Sequence, residues 1–347
     1  KENYNMKGRG FMCYKQEKQE KYAAKLQERF DELQVPFFLQ DAFFNIASMQ
    51  ARCNYFATLK EMLDWLLDNG YIKHSISEIT PEDMNSIRPV RIDEYFRYQL
   101  NKKGISLSTL DTKRKQLSSI WTILQEEHYV QDNVVQKVRS AEFRNVKTNR
   151  QKMRKMPLHH NMEAMYERID GRKGDPFYKI RAMSIIRVLR GTGLRESELV
   201  GLDINDLYLT RDRMDRNEPR PYLLVISKGV YRYDDEGKDI VYLTNDAIAA
   251  FNEWLEIRST MNIDTEAVFI NRNGNRMTED NIQKLLKTYS KGTITPHMLR
   301  HEYTTVLQEE TGDATFVQEQ GRWRSSNIMR SVYDSGASRS VHVLDNM

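Results

Sequence analysis

The chain has 347 residues, 39% of them hydrophobic and 29% charged, a balance that belongs to a globular protein with room for two domains rather than to a disordered or fibrous chain. No apolar run approaches the ~18 residues of a membrane span, and the opening stretch KENYNMKGRGFMCYKQEKQEK lacks the apolar core of a signal peptide and starts without Met, as a trimmed or processed chain would. Cys13 and Cys53 form no metal-type spacing and read as two free thiols of a reducing cytosol, while the net charge of +4 is too small to name a partner.

Residues 15–34 are charged and helix-prone with no clear apolar face, so residues 1–44 are expected to form an N-terminal helical arm. In YFATLKEMLDWLLDNG, Phe56, Leu59, Leu63, Leu66 and Leu67 recur at helical spacing, and Gly70 suits the stop. TPEDMNSI offers Thr80 as N-cap, Pro81 at the first helical position and two acids in the first turn. A further helix runs through RIDEYFRYQLNKKG to Gly104. STLDTKRKQLSSIWTILQEEH then puts Leu110, Leu117, Trp121 and Leu124 on one face and crowds Lys113, Arg114 and Lys115 on the outer side. Residues 45–142 therefore read as a helical domain of four or five helices, one of them basic.

From Phe143 to Met162 there is no acid, while Arg144, Lys147, Arg150, Lys152, Arg154 and Lys155 all fall there. Such a run is ordinarily a solvated linker, here placed at 143–157; between two domains it can also neutralise phosphates.

Beyond residue 156 the pattern turns mixed. DPFYKIRAMSIIRVLRGTG predicts a helix opened by Asp175 and Pro176 and closed at Gly191 and Gly193. PYLLVISKG and DIVYLT flank a polar turn as a hairpin would, and AVFIN is a further short strand. TNDAIAAFNEWLEIR sets Ile248, Phe251 and Leu255 on one helical face. Three more helices follow, each opened by Thr or Asp and closed by Gly. The fold class expected is mainly α with a small β-sheet: a helical domain, then a mixed α/β domain over 158–334, then a tail, 335–347.

Four fragments carry chemistry. TPHMLRHEYTT places His297 and Arg300 three residues apart, on one face, at a helix start that favours an anion; a cap and a surface ion pair are the plain alternative. GTGLRESELVGL sets Arg195 directly after a glycine turn that lets backbone approach a ligand, with Glu198 next on the helix. VISKGVYRYDDEG leaves Lys228 at the end of a predicted strand. GRWRSSNIMRSVYDSG ends on Tyr333.

In order these read G-x-G-L-R-x-x-E-L, S-K-G between strands, H-x-L-R-H, then a Tyr some thirty residues on. Over roughly residues 45–340 the chain resembles the tyrosine recombinases, or phage-type integrases. The resemblance implies a helical core-binding domain before the basic linker and a catalytic domain after it. It makes Arg195 and Arg300 the two active-site arginines, Lys228 the hairpin lysine, His297 the first active-site histidine, Glu198 the acid that supports Arg195, and Tyr333 the nucleophile. Only Tyr303 and Tyr333 follow the His-x-x-Arg motif, and Tyr303 sits too near Arg300 on the same helix to swing in line against a phosphate held there.

The chemistry is coherent for these residue types. Two arginines clamp the nonbridging oxygens of a phosphodiester as charge grows on them, and they never lose their protons. A tyrosine, with its pKa near 10, needs activation by that positive field and by His297. Lys228 then protonates the leaving 5′-oxygen. No metal or nucleotide cofactor is called for.

One position departs from the family, which usually carries Gly-His, or a Trp, nine residues before the nucleophile. Here that residue is Arg324. Trp323 is favoured for the role because an indole N–H donates to phosphate; Arg324 and Arg322 are the alternatives, as Lys238 is to Lys228. The resemblance further implies a C-shaped clamp on duplex DNA carrying specific recombination sites. Lys113, Arg114, Lys115 and the linker bases would touch phosphates or groove edges. A dimer per site and a tetramer in synapsis follow, with an accessory DNA-bending factor in some systems. The tail, with Val341, Val343 and Leu344, would dock on a neighbouring subunit. The setting is the bacterial cytoplasm or nucleoid. The reading is a site-specific recombinase, integrase or transposase of a mobile element; the alternatives are a resolvase, a telomere resolvase, a type IB topoisomerase-like enzyme or a non-catalytic DNA-binding relative.

Overall fold

The computed structural model describes residues 13–138, 159–227, 237–261 and 263–323. The chain divides into two compact units, Lys1–Lys152 and Met153–Met347. The first is all helical among its described residues: α1 (Tyr14–Glu32), α2 (Phe37–Phe44), α3 (Met49–Asp68), α4 (Pro81–Ser86), α5 (Pro89–Asn101) and α6 (Leu107–Glu126).

Phe56, Leu59, Leu63 and Leu66 of α3 meet Leu110, Leu117, Trp121 and Leu124 of α6 in the core of this unit. The stretch expected as a separate arm is part of the same core. Leu26 and Phe30 of α1 are buried in it, as are Phe38, Leu39, Ala42 and Phe43 of α2, and the Phe30 ring stands edge-on to Phe56 with centroids 5.0 Å apart. Two buried positions on a 19-residue helix leave too faint a stripe to read as an apolar face. Thr80 caps α4 with a reciprocal Asp83 contact, the capping box its spacing predicts.

Of the three bases expected on the outer face of α6, Lys113 turns inward. Its ammonium pairs with Glu61 of α3, and Gln99 of α5 donates to the same carboxylate at 3.0 Å. Burial opposes ionisation of Glu61, but the hydrogen bonds from Lys113 and Gln99 outweigh it and hold the carboxyl below its ordinary pKa. Arg114 and Lys115 both pair with Asp111 on their own helix, at 2.9 and 2.7 Å.

The second unit contains α7 (His159–Asp170), α8 (Pro176–Thr192), α9 (Glu196–Val200), strands β1 (Leu207–Tyr208), β2 (Tyr222–Val225) and β3 (Asp239–Tyr242), then α10 (Asn245–Ser259), α11 (Glu279–Ser290), α12 (Pro296–Thr311) and α13 (Ala314–Gln320). The strands form one antiparallel sheet in the order β1-β2-β3, with Leu223 opposite Val241. The fold is thus mainly α with a small sheet. AVFIN pairs only through isolated bridges, Asp203 with Ala267 and Ile270 with Arg276.

The central packing is α8 against α10. The stripe of α10 that is buried is Ala247, Ala250, Phe251 and Trp254, not the predicted Ile248–Phe251–Leu255 line. Small residues win the inner face because they admit the neighbouring helix closely: a Cβ on Gly191 of α8 would stand 2.9 Å from the Ala247 methyl. Trp254 donates its indole N–H to the Val268 carbonyl at 2.7 Å and stacks on Phe269. Asp175 and Thr295 cap α8 and α12, each followed by Pro at the first helical position, as predicted.

Candidate active site

α8 ends in the left-handed Gly193, φ 58°. A Cβ there would lie 2.3 Å from the Tyr303 ring of α12, so the residue is glycine for both conformation and space. The sharp exit lets α9 begin at once with Arg195 as its N-cap. Arg190 on the last turn of α8 donates to Glu302 of α12 at 2.6 Å and to the Tyr166 hydroxyl at 3.1 Å. These contacts fix α12 against α8 and bring Arg300 to Arg195.

The centre of the site is Glu198, whose side chain is 1% exposed. Its Oε1 accepts from Arg195 Nη1 at 2.6 Å. Its Oε2 accepts from the Arg195 backbone N–H at 2.9 Å and from Arg322 Nη2 at 2.8 Å, and lies 3.8 Å from Arg300 Nη1. Burial alone would raise the pKa of this carboxyl; Arg322, Arg300 and Arg195 together reverse that and push it down to about 2. Three guanidiniums against one carboxylate leave a local surplus of two positive charges in a low-dielectric setting, which is suited to an anion whose charge rises during reaction.

Arg300 is buried and donates to the carbonyls of Gly193 and Gly321. Trp323 belongs to the same cluster: its ring centroid lies 5.0 Å from the Arg300 guanidinium carbon and 6.0 Å from that of Arg195. Gln320 accepts from the Tyr242 backbone N–H on β3 at 3.3 Å, tying the end of α13 to the sheet just before Gly321–Trp323.

His297 is exposed in the first turn of α12. Its Nε2 lies 3.1 Å from Nε2 of the buried His301. The two ring nitrogens are within hydrogen-bond distance, the tautomer setting which donates and which accepts. The motif H-x-L-R-H gives His301 no role by itself; its place one turn after His297 is the sequence signal that pairs them. Tyr303 is half-buried, and burial raises its pKa.

Lys238, the fallback for the hairpin lysine, precedes β3 and is held by Asp206 at 2.7 Å with its side chain 17% exposed. Lys228, Arg324 and Tyr333 lie outside the described residues, as do Arg144, Lys147, Arg150, Lys152, Arg154 and Lys155 and the tail 335–347. Arg322, one of three candidates for the phosphate-donor position, instead turns inward to Glu198. Nothing in its sequence neighbourhood distinguishes it from Arg324. Among the described residues no helix is long and apolar enough to cross a membrane.

Within this mainly helical fold the site is a buried glutamate that gathers Arg195, Arg300 and Arg322, with His297 one turn before Arg300. The chain matches the phage integrase family over residues 155–338 and belongs to it, the family of the tyrosine recombinases. It is similar to tyrosine recombinase XerC of Leptospira interrogans, 27% identical over 247 residues, 68% of this chain and 71% of that one. The Escherichia coli XerC is 24% identical over 271 residues, 77% and 79% of the two chains. Its fold is that of XerH bound to palindromic difH in a post-cleavage complex (TM-score 0.60, 18% identity, 87% of this chain and 81% of that one). It is also that of the Tn1549 transposon integrase with transposon right-end DNA (TM-score 0.57, 19% identity, 93% and 98%).

Proposed function

We propose that the protein is a site-specific recombinase that cuts duplex DNA through a covalent 3′-phosphotyrosyl intermediate, as the integrase or transposase of a mobile element. The observation that carries this reading is the convergence of Arg195 and Arg300 on buried Glu198, which fixes two permanent cations at one point. In the reaction the scissile phosphate lies against both guanidiniums. The Tyr333 oxygen attacks phosphorus and its proton passes to His297, while the bond to the 5′-oxygen breaks and that oxygen takes a proton from Lys228. Attack by a free 5′-hydroxyl reverses the step and rejoins a strand, so the bond energy is conserved. Trp323, whose ring lies 5.0 Å from the Arg300 guanidinium carbon, donates its indole N–H to a phosphate oxygen.

The helical unit, the bases of the linker and the catalytic unit together grip double-stranded DNA. Recombination sites are held by a dimer each and paired in a tetramer, the tail of one subunit docking on the next. The bacterial sources of the relatives support action in the cytoplasm or nucleoid, and the likeness to a transposon integrase fold favours a mobile element over a resolvase or topoisomerase role.

A nicked suicide substrate tests the chemistry. Wild type should accumulate a covalent protein–DNA adduct and Tyr333→Phe should form none. An adduct with the Phe variant would remove Tyr333 from its role, and paired sites that yield no exchanged strands would turn the reading toward a topoisomerase.

A further inference from the structure

We propose that Arg322 is a positioning residue of the strand-transfer site: its guanidinium grips Glu198 and the Gly193 carbonyl and so holds Arg195 and Arg300 in register. The inference rests on the DNA-cleaving reading above.

Arg322 adopts φ 51°, in the left-handed region that side chains other than glycine enter at a cost. If this position served only the turn after α13, glycine would serve better. The chain keeps an arginine and buries it, with 2% of the side chain exposed. Burying a cation is also unfavourable unless it is well paired. Both costs are offset by what the guanidinium touches. Nη1 donates to the Gln320 carbonyl at 2.7 Å; Nη2 donates to Glu198 Oε2 at 2.8 Å and reaches the Gly193 carbonyl at 3.3 Å.

Those last two acceptors are the ones Arg300 Nη1 also addresses. Arg322 and Arg300 therefore stand side by side, two like charges held together by one carboxylate and one carbonyl. The other carboxylate oxygen is left to Arg195. Without Arg322, Oε2 keeps the Arg195 backbone N–H and has only the more distant Arg300 as a side-chain partner, so the spacing of the two phosphate-binding cations is no longer held from the α13 side. The anchor has a second consequence. Trp323, the next residue, packs on Arg300 and its backbone N–H is bonded to Gln318, so the grip on Arg322 sets where the indole lies. The charged and titratable groups facing Glu198 are Arg195 from α9, Arg300 from α12 and Arg322 from the turn after α13, with the Tyr303 phenol close to the last two.

The test is R322G, which removes the guanidinium and leaves a backbone that glycine adopts without strain, so that a slow variant is not merely a misfolded one. Duplex affinity should stay near wild type while single-turnover cleavage of the suicide substrate slows on the order of 100-fold. Dissolved guanidinium ion should restore part of the rate, R322K should lie between, and the acid limb of the rate profile should move to higher pH. A DNA-free arm reads the same contact: R322G should lose more melting temperature at neutral than at acidic pH, because Glu198 loses a cation that keeps it ionised. Cleavage at the wild-type rate overturns the proposal, as does a loss of cleavage that tracks loss of DNA binding and ignores guanidinium. If wild type itself forms no adduct, the DNA-cleaving reading fails, and the melting comparison still decides whether Arg322 and Glu198 are coupled.

Discussion

The Tyr303 ring occupies the space in which a side chain at Gly193 would stand, 2.3 Å from its Cβ position. This contact locks α12 to the glycine turn, so the placing of Arg300 beside Arg195 depends on one close approach. Gly193→Ala should lose about 1–2 kcal/mol from the left-handed backbone alone, with the steric clash adding to it. Chemical denaturation should show the loss, and cleavage should fall with it.

Tyr303→Phe keeps the ring and removes the hydroxyl. Because the ring packs against Gly193 and Tyr333 is the proposed nucleophile, the variant should be close to wild type in stability and should still form the covalent adduct. An adduct lost in Tyr303→Phe and kept in Tyr333→Phe would exchange the two assignments.

Glu198→Gln leaves three guanidiniums without their carboxylate. We expect cleavage to fall ~10²–10³-fold, comparable to losing an oxyanion donor, with DNA affinity much less affected. The sign of the pH effect follows from a folded-state pKa depressed to about 2 against an ordinary value near 4.3. The stabilisation is fully present above the ordinary value and is lost as pH falls toward the depressed one. Wild type should therefore lose melting temperature over that acidic window, and Glu198→Gln should lose less.

The two hairpin lysines should separate cleanly. Lys238 neutralises the buried Asp206, whose own pKa burial raises. Lys238→Met should therefore lower stability and affect cleavage only in proportion. Lys228→Met should spare stability and slow cleavage. A DNA substrate with a 5′-thiolate leaving group, which needs no proton, should restore the Lys228→Met rate and do nothing for Lys238→Met.

Lys113 and the linker bases should also behave differently. Lys113 is engaged with Glu61 inside the helical unit, so Lys113→Met should be read in the melting temperature of the protein. Lys147→Ala or Arg150→Ala should leave melting unchanged and lower the salt-dependence slope of DNA binding by about 1 each.

Local patterns carried much of this protein. Helix starts at Thr80, Asp175 and Thr295 were legible because a cap, a proline and the first turn are neighbours in sequence. The faces of α3 and α6 were legible because their apolar residues repeat at helical spacing. The α10 face does not follow its apolar spacing because its packing is set by the closeness of α8, which favours Ala247 and Ala250 over larger neighbours. The charged α1 shows almost no apolar stripe because only Leu26 and Phe30 are buried, so its packing on the helical core, beside Phe38, Leu39, Ala42 and Phe43 of α2, is a tertiary fact.

For the site, the order of Arg195, Glu198, His297 and Arg300 along the chain was enough to place the protein among the recombinases, since each sits in a short motif whose spacing is local. What the sequence could not decide is where Arg322 and Trp323 point. That depends on a left-handed backbone at Arg322, on α13 being tied to β3, and on a carboxylate more than a hundred residues away that needs a third cation. Charge compensation in a buried site is a property of what the fold brings together, and only the tertiary structure turns Arg322 toward Glu198 and lays Trp323 over the two arginines.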